Sequence, residues 1–83
     1  MRYMLLMWRS RLGKLKVVSG KEICQILGRH GFKEVRRKGS HVVVQKQIRR
    51  STITVPVPDH KEIRIGTLLS IIRQSGVQRS EFE

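Results

Sequence analysis

The first apolar pattern in the chain predicts a helix over about residues 20–30. Ser19 and Glu22 have the S-x-x-E spacing of a capping box, in which each side chain bonds a backbone N–H group at the start of a helix. Apolar residues then recur three and four positions apart, as they do along one face of a helix: Ile23, Ile26 and Leu27. Gly31 stands where a residue in the left-handed conformation ends many helices.

A hairpin is predicted directly after this helix. Gly39 and Ser40 form a two-residue turn signal that joins strands over about residues 33–38 and 41–47. Residues directly opposite each other in a hairpin share one face of the sheet. We therefore expect three valines on the core face and a polar cluster on the solvent face. The valines are Val35, Val42 and Val44, and the polar cluster is Arg36, Lys38 and His41.

Strict alternation of apolar and polar residues predicts a third strand over about residues 51–57. Pro56 and Pro58 mark an edge or an end of this strand, because proline cannot donate a hydrogen bond to a neighbouring strand. The residues expected to face the core are Ile53, Val55 and Val57.

A second helix is predicted to begin near residue 65 and to end at Gly76. Its apolar residues recur at helical spacing: Ile65, Leu68, Leu69 and Ile72. The order helix, three strands, helix predicts an α+β fold, in which two helices cover one face of a three-stranded antiparallel sheet and leave the other face open to a ligand. Phe32 falls outside the strand pattern and is not counted in the core.

The charge of the chain narrows the choice of partner. The 83 residues include 18 Lys and Arg against 6 Asp and Glu, a net charge of +12, and all of the excess lies in residues 1–50. The positive electrostatic field of such a domain favours nucleic acid as the binding partner first, then an acidic protein, then an anionic membrane. The length excludes a two-domain enzyme with a Rossmann or barrel architecture.

Cysteine and histidine usage argues against a disulfide and against zinc. Cys24 has no partner for an internal disulfide and is expected to be a packed small side chain, which fits a reducing, cytoplasmic compartment. Cys24, His30, His41 and His60 do not show zinc-ligand spacing, so no metal or other cofactor is expected. Residues 1–14 are too short for a membrane span and predict a poorly ordered basic arm; a weak amphipathic helix and a leader from an upstream start codon remain alternatives.

The polar cluster of the hairpin has the groups needed for phosphodiester chemistry. Lys38 and Arg36 disfavour a protonated imidazole at His41, so that ring is expected to accept a proton, and both cations can hold a phosphate. In RNA the proton to be taken belongs to the 2′-OH, whose attack gives a cyclic phosphate without a metal. DNA has no such nucleophile. The residues alone favour the simpler interpretation of His41 as an exposed polar side chain.

Four motifs in the chain resemble the HicA family, the small mRNA interferase toxins of bacterial and archaeal toxin–antitoxin pairs. They are V-S-G-K-E at 18–22, R-K-G-S-H at 37–41, V-P-V-P-D-H at 55–60 and G-T-L-L-S-I-I-R-Q-S-G at 66–76. The resemblance covers about residues 15–82. It implies a fold like the double-stranded RNA-binding domain, His41 as the catalytic residue, mRNA as the substrate and a HicB-type antitoxin as the partner. It also divides the chain into the arm at 1–14, which has no counterpart in the family, and an RNA-cleaving domain at 15–83.

One departure from the family concerns the end of the sequence. The family usually continues into a short helix capped by Ser or Thr, and here Gln78 stands at the cap position. The last helix is therefore expected to be frayed or absent.

The remaining site residues are ranked by their place on the hairpin. Arg36 and Lys38 are the expected phosphate contacts, while Arg37 leans to the core side and its charged head must reach outward. Ser40 could donate a hydrogen bond to a phosphate, or serve only the turn. His60, in the loop before the last helix, is a candidate for the acid that protonates the leaving 5′-oxygen.

Two other functions fit the same residues. A non-catalytic module could use the basic sheet face to bind RNA or DNA without cutting it. A third class is a protein that acts on its partner through the basic arm at residues 1–14.

Overall fold

The computed structural model describes residues 15–83, and the predicted arm at 1–14 lies outside the described residues. Its elements are α1 (Gly20–Arg29), β1 (Lys33–Lys38), β2 (His41–Ile48), β3 (Ser51–Pro58), α2 (Ile65–Ser75) and the short 3₁₀ helix η1 (Arg79–Phe82). The strands form one antiparallel sheet in the order β1-β2-β3. The predicted α-β-β-β-α order is confirmed, and it is the α+β arrangement of the double-stranded RNA-binding domain.

The start of α1 is fixed by side chains and by a close backbone contact. The Glu22 backbone N–H donates to Ser19 Oγ at 3.1 Å, and the Ser19 N–H donates to Glu22 Oε1 at 3.0 Å, which confirms the capping box. The Gly20 N–H donates to the His60 carbonyl oxygen at 2.9 Å. This hydrogen bond holds the first turn of α1 against the loop that follows β3.

The hairpin between β1 and β2 has the predicted turn. Gly39 has φ 59°, and in the described chain only glycines have a positive φ, so the second turn residue, Ser40, has a negative φ. A positive φ at the first turn residue alone is typical of a type II′ turn. Lys38 pairs with His41, Arg37 with Val42 and Arg36 with Val43, as predicted.

The predicted pairing of Val35 with Val44 is wrong, because β1 contains a bulge. Val44 pairs with Glu34, and Val35 is the extra residue between Glu34 and Arg36. Val35 is 51% exposed instead of lying in the core. The side chains of Lys33 and Glu34, which lie on the side of the bulge away from the turn, are therefore on the faces opposite to those expected for a regular strand.

The core lies between the helices and one face of the sheet. It is a single cluster of buried side chains contributed by α1, the sheet, α2 and the chain on both sides of them. Its members from the sheet are Val42, Val44, Val55 and Val57, with Ile53 packed at its margin. The core face predicted for β3 is thereby confirmed. The opposite face of the sheet is left uncovered by the described elements, and we call it the open face.

The structure corrects the expectations for Phe32 and for the last helix, and it shows which face of α2 is buried. In α2 the buried positions are Leu68, Ile71 and Ser75, whereas Ile65 is 56% exposed, because only part of the broad apolar stripe meets the sheet. Phe32, which the strand pattern left out, is buried in the core from its position just before β1. Phe82 is 1% exposed, and its burial orders η1 although Gln78 makes no side-chain cap hydrogen bond.

The two outer strands differ in their edges. All six residues of β1 are exposed, and four of them are Lys or Arg. β3 carries Pro56 within the strand and Pro58 at its end, as the prolines predicted. Within residues 15–83, none of the helices is of a length and apolar character that would let it span a lipid bilayer.

Candidate nucleic-acid site on the open face

His41 is the first residue of β2 and lies at the end of the hairpin. It is exposed, and its neighbours in register are Lys38 on β1 and Pro58 on β3. The end of the sheet is tied together below it, since the Asp59 N–H donates to the Ser40 carbonyl oxygen at 2.7 Å. The imidazole therefore stands in solvent on a backbone that is held on both sides.

A pocket of about 380 Å³ surrounds this imidazole on the open face. The residues that line it come from all three strands: Arg36, Lys38, His41, Val43, Thr54 and Pro56. Val43 is only 6% exposed although it lies outside the main core cluster, so it forms an apolar floor between the polar side chains. The pocket thus places an imidazole beside two cations over an apolar surface, an arrangement suited to a phosphodiester with its sugar or base.

Arg37 lies on the other face of β1, as its register predicted. Its Nη1 donates to Asp59 Oδ2 at 2.7 Å, and both groups are partly exposed. This hydrogen bond from Arg37 holds the pKa of the Asp59 carboxyl below its usual value. The Arg37 guanidinium is therefore engaged with a carboxylate and is not one of the groups that line the His41 pocket.

The structure does not bring the other two predicted site residues into the pocket. The Ser40 side chain does not line the His41 pocket, and the Ser40 carbonyl oxygen accepts the hydrogen bond from the Asp59 N–H. His60 lines a separate depression of about 390 Å³ together with Ser19, Lys21, Asp59 and Lys61. The acid role of His60 stays a prediction, and this arrangement adds no support to it.

Cys24 is half-buried on α1, as expected for a packed side chain. Burial raises the pKa of its thiol, and the nearby Glu34 carboxylate raises it further. Within residues 15–83, no three His, Cys, Asp or Glu side chains are grouped so that they could hold a metal ion.

Comparison with known proteins decides the family. A family model described as HicA toxin of bacterial toxin–antitoxin matches residues 20–77, more than half of the chain. The chain belongs to the HicA toxin family. As a HicA toxin it is the toxic member of a toxin–antitoxin pair, and an antitoxin is its partner. A comparison with curated proteins found no match.

The HicA match contains every residue that lines the His41 pocket. Three of these residues were missed at the level of sequence, namely Val43, Thr54 and Pro56. The alternation of β3 predicts the positions of Thr54 and Pro56, because residues 54 and 56 must face away from the core when 53, 55 and 57 face towards it. The pairing of Val43 with Pro56 then completes the pocket.

Proposed function

We propose that this HicA toxin is a metal-independent endoribonuclease that cleaves mRNA in the cytoplasm, with His41 as its general base. The observation that carries the proposal is the exposed His41 imidazole in one pocket with Arg36 and Lys38. The position of His41 in the motif that resembles the family pattern supports the same role.

The reaction follows from the groups in the pocket. The 2′-oxygen of a ribose attacks the adjacent phosphorus while His41 takes the 2′-OH proton, and the bond from phosphorus to the 5′-oxygen breaks. The departing 5′-oxygen takes a proton from solvent. Lys38 and Arg36 offset the negative charge that grows on the non-bridging oxygens. The products are a 2′,3′-cyclic phosphate and a 5′-hydroxyl end. Because the nucleophile is part of the substrate, no metal-bound water is needed.

The partner in this proposal is a HicB-type antitoxin that covers the open face. The described strands carry no acidic residue from Val35 to Pro58, whereas Arg36, Lys38 and His41 all face the pocket. A protein that masks this surface is expected to be acidic there, because like charges placed opposite each other weaken binding.

Cleavage of a single-stranded RNA in the presence of EDTA tests the proposal. The His41→Ala variant should lose about 10²- to 10⁴-fold in rate, the usual contribution of a general base. His30→Ala is the matched control. His30 lies at the end of α1, outside the pocket, and its Nε2 is hydrogen-bonded to Glu81 Oε1 at a distance of 3.1 Å. Equal rates for His41→Ala and wild type, or a requirement for added metal, would overturn the mechanism.

His60→Ala is a separate arm of the same experiment. Because His60 lines a different depression, we expect this variant to retain most of the wild-type rate. A loss as large as that of His41→Ala would instead assign the leaving-group acid to His60.

The basic open face also fits a second function, a module that binds RNA or DNA without cutting it. That function predicts retained binding and no products from the wild-type protein. Its affinity should fall steeply with salt, with a log–log slope of about −3.5 for roughly five single-strand phosphates.

A further inference from the structure

The open face is organised in three rows, each of which runs across the sheet from β1 to β3. The register sets the rows as Lys38, His41 and Pro58; Arg36, Val43 and Pro56; and Lys33, Gln45 and Thr54. Each row begins with a cation on β1 and ends with an uncharged residue on β3. The face is therefore positive along one side only.

The bulge at Val35 is what brings Lys33 to this face. Lys33 and Arg36 are three residues apart, so in a regular strand they would point to opposite faces. The extra residue shifts the alternation, and Lys33 pairs with Gln45 on the open face while Glu34 pairs with Val44 on the core face. The one carboxylate of β1 is thereby turned towards the helices, and three of the four cations of β1, namely Lys33, Arg36 and Lys38, lie on the open face.

The spacing and the chemistry of the rows fit one strand of nucleic acid. Successive rows lie about 6.7 Å apart, the rise of two strand residues, which is comparable to the separation of neighbouring phosphates in a nucleic-acid strand. Beside the cations, the second row offers the apolar Val43 and Pro56. The third row offers Gln45, whose Nε2 donates to Thr54 Oγ1 at 3.0 Å, so an amide and a hydroxyl are held together where a base edge can meet them.

We propose that a single-stranded RNA lies along β2 on the open face, with its phosphates towards β1 and its bases over β2 and β3, and that Lys33 is a third phosphate contact two rows away from His41. A duplex fits less well, because its second backbone would lie over the uncharged side chains of β3. The position of the cleaved bond in the first row rests on the proposed function, but binding along the rows does not.

A binding assay with a 2′-O-methyl oligonucleotide tests this arrangement, because that probe lacks the nucleophilic hydroxyl and cannot be cleaved by the proposed reaction. Fluorescence anisotropy over a series of salt concentrations would compare wild type, Lys33→Ala and Arg73→Ala. Arg73 is the matched control, an exposed cation in the last turn of α2. We expect weaker binding by Lys33→Ala, with a log–log salt slope smaller by about 0.7, the value for one single-strand phosphate. Arg73→Ala should match the wild-type slope.

Equal affinities and slopes for the Lys33 and Arg73 variants would overturn the proposal, as would equal binding of the same probe when annealed to its complement. Lys33→Gln provides a second test that keeps the length of the side chain and removes its charge, and it should behave as Lys33→Ala does. Failure of the nuclease proposal would give a different result, namely loss of binding on Lys33→Ala with no cleavage of unmodified RNA by the wild-type protein.

Discussion

Gly20 lies directly against the end of β3, and replacing it with alanine should destabilise the fold. An added Cβ would overlap the carbonyl oxygen of Pro58 and lie 3.1 Å from Cα of Asp59. Both neighbours are backbone atoms, so no side-chain rotation relieves the overlap. Either the first turn of α1 or residues 58–60 must move, and the hydrogen bond from Gly20 to His60 lies between them.

The expected loss for Gly20→Ala follows from the cost of overpacking. Extra atoms in a well-packed region cost about 1–3 kcal/mol, and the backbone contact places this substitution in the upper half, at about 2–3 kcal/mol. In a domain of this size each 1 kcal/mol lowers Tm by about 4–8 °C, so we expect a fall of roughly 10–20 °C.

Gly28 is the matched control on the same helix. A Cβ at Gly28 would meet nothing within 4 Å, so Gly28→Ala should stabilise the protein by about 0.5–1 kcal/mol through lower chain entropy in the unfolded state. Urea unfolding followed by circular dichroism would compare the two variants with wild type. A Gly20→Ala variant as stable as wild type, or equal losses in both variants, would refute the reasoning from close packing.

Two further predictions concern stability. Phe82→Ala should lower the free energy of unfolding, measured in urea, by about 3–5 kcal/mol, because a fully buried aromatic ring is removed. Val17 is exposed, so Val17→Ala should change this free energy by less than about 0.5 kcal/mol. Similar values for the two variants would contradict this account of η1. Arg37→Ala should be less stable than wild type at pH values above the ordinary carboxyl pKa of about 4, because Asp59 is ionised there and its interaction with Arg37 stabilises the fold fully. The difference in stability should vanish as the pH falls through the lowered pKa that Asp59 has in the folded protein. Urea unfolding at several pH values measures that difference, and a difference independent of pH would contradict the assignment.

The elements could be predicted from the sequence because their signals are local. The capping box at Ser19 and Glu22 fixes where α1 begins, and Gly39 with Ser40 fixes the hairpin register from the turn outwards. The same register placed His41 on one face with Lys38 and Arg36. The half of the candidate site that lies next to the turn can thus be predicted from the sequence alone.

The rest depends on contacts between distant parts of the chain. Alternation alone does not reveal a bulge, so the exposure of Val35 and the place of Lys33 on the open face were not foreseen. In α2 the apolar stripe is wider than the surface it covers, and packing against the sheet selects Leu68 and Ile71 over Ile65.

The end of the described chain shows the same limit. Gln78 gives η1 no side-chain cap, yet Phe82 enters the core and its carbonyl oxygen accepts a hydrogen bond from the Lys16 N–H at 3.3 Å. Tertiary contacts here replace the local signal whose absence predicted a frayed helix.

The unlike borders of the sheet have a consequence for the behaviour of the protein at high concentration. Unpaired strand borders are templates on which other chains can add strands and begin to aggregate. Pro56 and Pro58 remove N–H donors from β3, and the dense positive charge of β1 repels a second copy of itself. We therefore expect the free toxin to stay dispersed in solution when it accumulates without its antitoxin.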